Sequence, residues 1–249
     1  MKLVSIIMPY YDKEIYLKSS INSILNQTYK NFELIFVFDD KFKNYTKIKK
    51  IIPKDKRIKI LLNKKNLGVA KSRNIGIKKS KGKFIAFIDS DDLWKKDKLK
   101  TQLNFMSKNN LKFSHTSYDI IDSCGMLLKR IPAKKKLDYS DLIKSCDIGL
   151  STVIVESKLI KKNLFPNIKT KEDYVVWLKL AKSKNKIIGL NRYLTKWRKL
   201  NNSLSSSVLQ KIVDAYKVYR YYERRSITNA IYQIFVLSIN AFKKKDFSS

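Results

Sequence analysis

Cysteine and histidine are nearly missing: among 249 residues there are two cysteines, Cys124 and Cys146, and one histidine, His115. Two cysteines without C-x-x-C spacing exclude a disulfide framework, make a metal role for them improbable, and suit a reducing compartment. One histidine excludes a histidine-based metal cluster. His115 lies in a strand-like stretch and reads as structural, or at most acceptor-side. Glycine (6) and proline (4) are scarce, and no low-complexity linker or internal repeat interrupts the chain. No apolar run reaches the ~20 residues that span a bilayer. The opening Lys-Leu-Val-Ser-Ile-Ile-Met-Pro is too short for a signal peptide and reads as a strand. A cytoplasmic protein is expected, with peripheral contact at the inner face of the cell membrane as an extension of that reading.

Acids are few as well. Asp and Glu number 21 against 54 Lys and Arg, a net charge of +33. Such a surplus attracts polyanions, whether nucleic acid, anionic lipid or a phosphate-bearing substrate. The lysines are spread along the whole chain, and heavy use of lysine, asparagine and isoleucine is what an AT-rich genome produces. Compositional drift is the simpler cause, and the charge alone identifies nothing.

What is present is alternation. Apolar runs at residues 3–8, 33–38, 57–62 and 83–88 read as strands, the first buried on both faces. Between them, Leu17, Ile21, Ile24 and Leu25 share one helical face, and residues 69–79 read as a helix closed by Gly82. A further helix carries Leu99, Leu103 and Met106 on one stripe. Strand–helix repetition of this kind predicts an α/β fold with a mostly parallel sheet flanked by helices. The second half is less regular. Residues 112–117 and 126–129 read as a hairpin, 151–155 as a strand, 173–181 as a helix, and 187–190 and 193–197 as two strands. From about Ser207 the chain turns helical and basic, with an apolar stretch at residues 227–242 closed by three lysines. The expected division is residues 1–205 as the main domain and 206–249 as a basic helical extension.

Ligands on open α/β sheets bind beyond the carboxyl ends of the strands. Acids sit there at Asp39 and in Asp89-Ser90-Asp91-Asp92. A lone D-x-D is usually a solvated turn or a helix cap. After an apolar strand, however, the Asp89/Asp91 pair can hold Mg²⁺ or Mn²⁺ bridged to phosphates. Arg73, one turn into a helix, is either a surface arginine or a guanidinium aimed at a base or phosphate. Glu172-Asp173 opens a helix, where acids favour the dipole by up to ~1 kcal/mol. Asp173 is equally a candidate general base for an acceptor hydroxyl, and spacing does not decide between the two. Ser151-Thr152 is a lesser candidate.

Five stretches in order resemble glycosyltransferase family 2, the inverting enzymes of GT-A fold, over roughly residues 3–205. They are residues 4–12 (Val-Ser-Ile-Ile-Met-Pro-Tyr-Tyr-Asp), 23–29 (Ser-Ile-Leu-Asn-Gln-Thr-Tyr), 66–74 (Asn-Leu-Gly-Val-Ala-Lys-Ser-Arg-Asn), 87–92 (Phe-Ile-Asp-Ser-Asp-Asp) and Glu172-Asp173 with Trp177-Leu178. The resemblance implies transfer of a sugar from a nucleotide-diphosphate-sugar, a UDP-sugar first, to a saccharide or lipid-linked hydroxyl acceptor in cell-surface polysaccharide or glycolipid synthesis. It implies that Pro9 and Tyr11 border the nucleobase, that Asp39 hydrogen-bonds it, and that Arg73 lies against base or phosphate. Asp89 faces the ribose side, Asp91 is the principal ligand of Mg²⁺ or Mn²⁺, Asp173 is the base, and Thr152 marks the acceptor side. Three departures are visible. Asp39-Asp40-Lys41 alters the usual turn, and Asp40 replaces a glycine and brings charge toward the nucleotide. Leu200 stands where a histidine is often found, before the serine-rich turn at 201–205. The alternatives are a nucleic-acid-binding module using the basic aromatic stretch 216–225, a nucleotidyltransferase on the same sheet, and an inactive relative. The first is opposed by carboxylates at the strand ends and the second by the lack of a glycine-rich loop after the first strand, so no nucleic-acid partner is expected.

Overall fold

Every residue of β1 (Val4–Tyr10) is buried, as a strand covered by helices on both faces requires. The computed structural model describes residues 2–41, 44–183, 185–201 and 207–246, with side chains inside the last helix described as far as Phe242. After β1 come α1 (Glu14–Leu25), β2 (Phe32–Phe38), α2 (Tyr45–Ile51), β3 (Ile58–Leu62), α3 (Val69–Lys79), β4 (Phe84–Phe87), β5 (Leu93–Trp94) and α4 (Lys98–Lys108). The second half runs β6 (Phe113–Ile121), β7 (Leu127–Ile131), β8 (Lys136–Leu137), α5 (Tyr139–Leu142), β9 (Ile154–Glu156), α6 (Ser157–Lys161), α7 (Glu172–Lys182) and β10 (Ile187–Arg198). It closes with α8 (Val208–Lys217), a π-type turn at Val218–Tyr222 and α9 (Ile227–Asp246).

Among the described residues the strands form one sheet in the order β3-β2-β1-β4-β9-β6-β10-β5, with β7 on β6 and β8 on β10. β3, β2, β1 and β4 are parallel, as are β6 and β10, while β9 joins the two groups antiparallel. Alternation along β1 divides the core. Val4, Ile6, Met8 and Tyr10 face α1, α2 and α4, whereas Ile7 faces α3, α7 and the C-terminal helices. At Gly76 a methyl group would stand 2.7 Å from the Ile7 side chain, so glycine lets α3 lie directly on β1. Ala215, Val218, Tyr219, Ala230 and Leu237 of the C-terminal segment belong to the same core as Trp177 and Phe87.

Several local expectations are corrected. Helix α3 ends at Lys79 with Ser80 extended (ψ 139°), its hydroxyl donating to the Ile77 carbonyl, so Gly82 does not close it. Residues 187–198 are one strand with register shifts at Leu190, Tyr193 and Thr195, so the polar Asn191-Arg192 marks an irregularity within a strand. Residues 150–152 form a 3₁₀ turn before β9. The Thr152 hydroxyl donates to the Gly149 carbonyl at 2.6 Å, a local bond that competes with strand pairing. The serine-rich turn at 202–205 lies outside the described residues, as does the boundary expected at 205/206.

Candidate active site

The carboxyl ends of the adjacent strands β2, β1 and β4 place Asp39, Tyr11 and Asp89 along one edge of the sheet. Pro9 is buried within β1 opposite Val37, and Tyr11, just past the strand, is half exposed. Asp39 is buried. Its Oδ1 accepts from Asn63 Nδ2 (2.7 Å) and the Leu67 amide (2.8 Å), and its Oδ2 from the Gly68 amide (2.9 Å). Gly68 has φ 85°, which only glycine adopts without strain. Asp39 thus shapes the turn into α3. The extra acid Asp40 faces its own turn. It accepts from the Lys41 amide (2.6 Å) and Asn44 Nδ2 (3.3 Å).

Arg73 is buried on α3 and joins two elements far apart in sequence. Its Nη2 donates to Asp89 Oδ1 at 2.6 Å and its Nη1 to Glu172 Oε1, while the guanidinium packs 5.7 Å from the centre of the Phe165 ring. Burial opposes its charge, but the two carboxylates outweigh burial and raise its pKa. Nε has no protein partner. Each terminal nitrogen thus gives one of its two N–H groups to an acid, and Arg73 acts here as a strut between Asp89 and Glu172.

Glu172 and Asp173 form the first turn of α7. Burial pushes Glu172 up to about 7, with Arg73 pulling it down and Asp173 adding to the rise. Asp173 is partly exposed, accepts from the Tyr174 amide at 2.7 Å, and is raised chiefly by burial, with Asp89 contributing. A partly exposed carboxylate held above its ordinary pKa suits proton abstraction.

The acids after β4 divide by task. Asp92 is fully buried: Oδ2 accepts from Ser151 Oγ (2.5 Å) and Oδ1 from the Arg198 amide (2.9 Å). Asp89 keeps a third of its side chain exposed, and Asp91 faces Lys13 Nζ at 3.7 Å. Burial, then Asp89, pushes Asp91 up to about 6. Among the described residues no three Asp, Glu, His or Cys are gathered as a preformed metal cage. Asp89, a third exposed, and the more shielded Asp91 remain outside the Asp92 scaffold, and Mg²⁺-type ions are bound by one or two carboxylates plus substrate phosphates and water. The donor set fits.

Four residues support the site; Arg198 and Lys13 escaped the sequence reading, whereas Ser151 was a lesser candidate and Glu172 was read as a helix-opening acid beside Asp173. Arg198 donates through Nε to the Asp91 carbonyl (3.0 Å) and through Nη1 to the carbonyls of Asp122 and Ser123, and it stacks 4.5 Å from the centre of the Tyr16 ring. Ser151, Lys13 and Glu172 complete the set. Only the repeated acid of Asp91-Asp92 and the adjacency of Glu172 to Asp173 hinted at them. Leu200 lies two residues beyond Arg198, where it lines a hollow of about 220 Å³ with Asp122, Ser123, Leu128, Lys199 and Asn201. In the basic stretch 216–225, Tyr219 is buried beside Tyr174 and Tyr216 packs edge-on against Tyr221, so most of its aromatic surface serves packing.

The sequence profile of Glycosyl transferase family 2 matches residues 5–168. The chain is 35% identical over 251 residues to a putative teichuronic acid biosynthesis glycosyltransferase, TuaG, of Bacillus subtilis, covering 98% of this chain and 97% of that protein. It is 40% identical over 211 residues to WfgD of Escherichia coli, a UDP-Glc:alpha-D-GlcNAc-diphosphoundecaprenol beta-1,3-glucosyltransferase, covering 84% and 82%. Residues 1–349 of S. aureus TarS, in complex with UDP-GlcNAc, superimpose with a TM-score of 0.74 at 23% identity, over 94% of this chain and 70% of that one. The mannosyltransferase PcManGT of Pyrobaculum calidifontis, in complex with GDP-Man and Mn²⁺, gives a TM-score of 0.69 at 12% identity, over 93% and 69%. These structures share the fold.

Proposed function

The chain belongs to glycosyl transferase family 2, and from that premise we propose that it moves a sugar, with inversion, from a nucleotide-diphosphate-sugar to a hydroxyl of a saccharide or lipid-linked saccharide bound for the cell surface. The observation that carries this reading is the Asp89–Arg73–Glu172 relay, which ties the strand-end acids to the turn that bears Asp173. Asp89 and Asp91 would hold Mg²⁺ or Mn²⁺, which when bound neutralises charge developing on the leaving diphosphate. Asp39 and Tyr11 orient the nucleoside. Asp173 takes the proton from the acceptor hydroxyl as the oxygen attacks the anomeric carbon and the sugar–phosphate bond breaks. Glu172 keeps Arg73 neutralised so that the guanidinium remains a strut. The names of WfgD and TarS support a UDP-sugar as the first donor to test.

A panel of UDP-, GDP- and dTDP-sugars tests the reading through thermal stabilisation and hydrolysis with and without Mn²⁺. One donor should raise the melting temperature and be hydrolysed in a metal-dependent way. A panel without a single responder would refute donor binding at this site.

A lipid-linked acceptor implies work at a membrane surface. No helix of the described residues is long and apolar enough to cross one. Helix α9 nevertheless buries Ala230 and Leu237 and leaves Ile227, Ile231, Phe235 and Ile239 exposed at every fourth position, and α8 exposes Val208, Leu209, Ile212 and Val213. The acids between residues 207 and 242, Asp214 and Glu223, are buried, whereas Lys217, Arg220 and Arg224 reach the surface. A second copy would set these cations against one another, while an anionic bilayer accepts both the apolar stripe and the charge. In this reading residues 1–205 carry the chemistry and 206–249 the docking face. Deleting 226–249 would strip Ala230 and Leu237 from the core, so the test is Ile231→Asp with Phe235→Asp. That variant should lose retention on phosphatidylglycerol vesicles by about tenfold or more while hydrolysing donor normally in solution. Undiminished retention would remove the docking face.

A further inference from the structure

The turn that presents Glu172 and Asp173 is not self-supporting. Helix α7 has no side-chain cap, and the residue before it, Lys171, stands in the left-handed region at φ 63°. A non-glycine residue keeps such a conformation only where its surroundings fix it. The fixing group lies 44 residues downstream on α8. Thr170 donates both its amide (2.9 Å) and its hydroxyl (3.0 Å) to Asp214 Oδ2. Gln210 Nε2 donates to the same oxygen at 2.9 Å, and Lys217 Nζ to Oδ1 at 3.3 Å. Asp214 has no exposed surface. Burial works against its charge, yet the bonds from Gln210 and Thr170 hold its pKa below the ordinary carboxylate value, so the clamp stays ionised at neutral pH.

From this geometry we infer that Asp214 is a positioning residue for sugar transfer: through Thr170 and the left-handed Lys171 it sets where the Asp173 carboxylate stands. The inference rests on Asp173 being the base. It places part of the active-site support in a helix beyond residue 168, where the match to the family profile stops. It also gives α8 two faces with separate tasks. Asp214 and Ala215 look inward to the α7 turn, while Val208, Leu209, Ile212 and Val213 look outward.

A buried aspartate that merely held the fold together would, when replaced, lower the melting temperature and the yield of folded enzyme, and leave turnover per folded molecule and its pH dependence alone. A positioning residue makes a different prediction. Asp214→Asn, which keeps one oxygen for Thr170, and Thr170→Val, which removes only the hydroxyl bond, should each reduce kcat by about ten- to a hundredfold, the scale of an ångström-sized misplacement. KM for the donor should stay within about twofold, because Asp39, Asp89 and Asp91 do not touch the clamp. The acid limb of the kcat profile should move to lower pH, since a loosened turn exposes Asp173 and relieves the burial that raises it. Should Asp214→Asn fail to fold, Thr170→Val decides the matter alone. Wild-type kcat and an unmoved acid limb in Thr170→Val would overturn the positioning role. Asp173→Asn is assayed alongside: an inactive Asp173→Asn with a normal Thr170→Val refutes this inference and leaves the base intact, whereas an active Asp173→Asn refutes the base itself.

Discussion

Asp173→Asn should lower kcat for transfer by about 10²–10⁴-fold, the range associated with losing a positioned general base, while donor affinity stays within about threefold. Asparagine preserves the volume and keeps an oxygen for the Tyr174 amide that Asp173 Oδ1 accepts at 2.7 Å, so the first turn of α7 should persist. It removes the capacity to take a proton. An in-line attack by an alcohol then forms an oxonium with nowhere nearby to discharge, because Glu172 and Asp89 are both engaged by Arg73. Donor hydrolysis separates the two halves of the reaction. Water needs less help than a sugar hydroxyl buried against the protein, so residual hydrolysis should fall less than transfer. Burial raises Asp173, so wild-type kcat should decline as pH drops through that raised value, and the decline should vanish in the asparagine variant. Wild-type turnover in Asp173→Asn would hand the base to another group, with Glu172 next in line.

The parts of this site legible in the sequence are those set by local pattern. Apolar runs at β1, β2 and β4 end in polar residues where a parallel sheet must end, so the positions of Asp39 and Asp89 follow from hydrophobicity alone. Helix α7 could be placed because its apolar residues and leading acids are contiguous. The contacts that organise those parts were not legible. Arg73 meets Glu172 across 99 residues, Arg198 meets Asp92 across 106, and Thr170 meets Asp214 across 44. Nothing in spacing records which distant residues face one another. Polarity also misled where it serves tertiary structure: Asn191-Arg192 reads as a break yet lies inside β10, and Ser151 reads as strand yet turns to hold Asp92. The C-terminal helix was ambiguous for the opposite reason. It is apolar on most sides, so the sequence could not say that Ala230 and Leu237 face the core while Ile231 and Phe235 do not.

Asp91→Asn should make the protein without metal more stable and the enzyme nearly inert. Burial, then the neighbouring Asp89, pushes Asp91 up to about 6, above the ~3.9 of an unfolded aspartate. A carboxyl group raised in the folded state opposes folding wherever it must ionise. The penalty is complete above the folded pKa, shrinks as pH falls from about 6 toward 4, and is absent below the unfolded value. With Asp91 mostly shielded and Lys13 3.7 Å away as a partial counter-charge, the penalty is on the order of 2 kcal/mol at pH 7.5, roughly 5 °C in melting temperature for a chain of this size. Asparagine removes it, so metal-free Asp91→Asn should melt above metal-free wild type at pH 7.5, and the gap should shrink to about half by pH 5 and close below about pH 4. Glu172, raised to about 7, has the same sign, whereas buried His115, pushed down to about 4, works the other way as pH falls below about 6.5, so the comparison with Asp91→Asn, not the wild-type curve alone, isolates Asp91. Divalent metal works on the same charge. Mn²⁺ should stabilise the wild type at pH 7.5, much less at pH 5, and should not stabilise Asp91→Asn. Turnover by the variant should fall about 10³-fold, matching several kcal/mol of lost charge neutralisation at the leaving diphosphate. Equal melting curves with and without Mn²⁺ across this pH range, or undiminished turnover in Asp91→Asn, would take Asp91 out of the metal site and leave the carboxylates after β4 as a hydrogen-bonded scaffold.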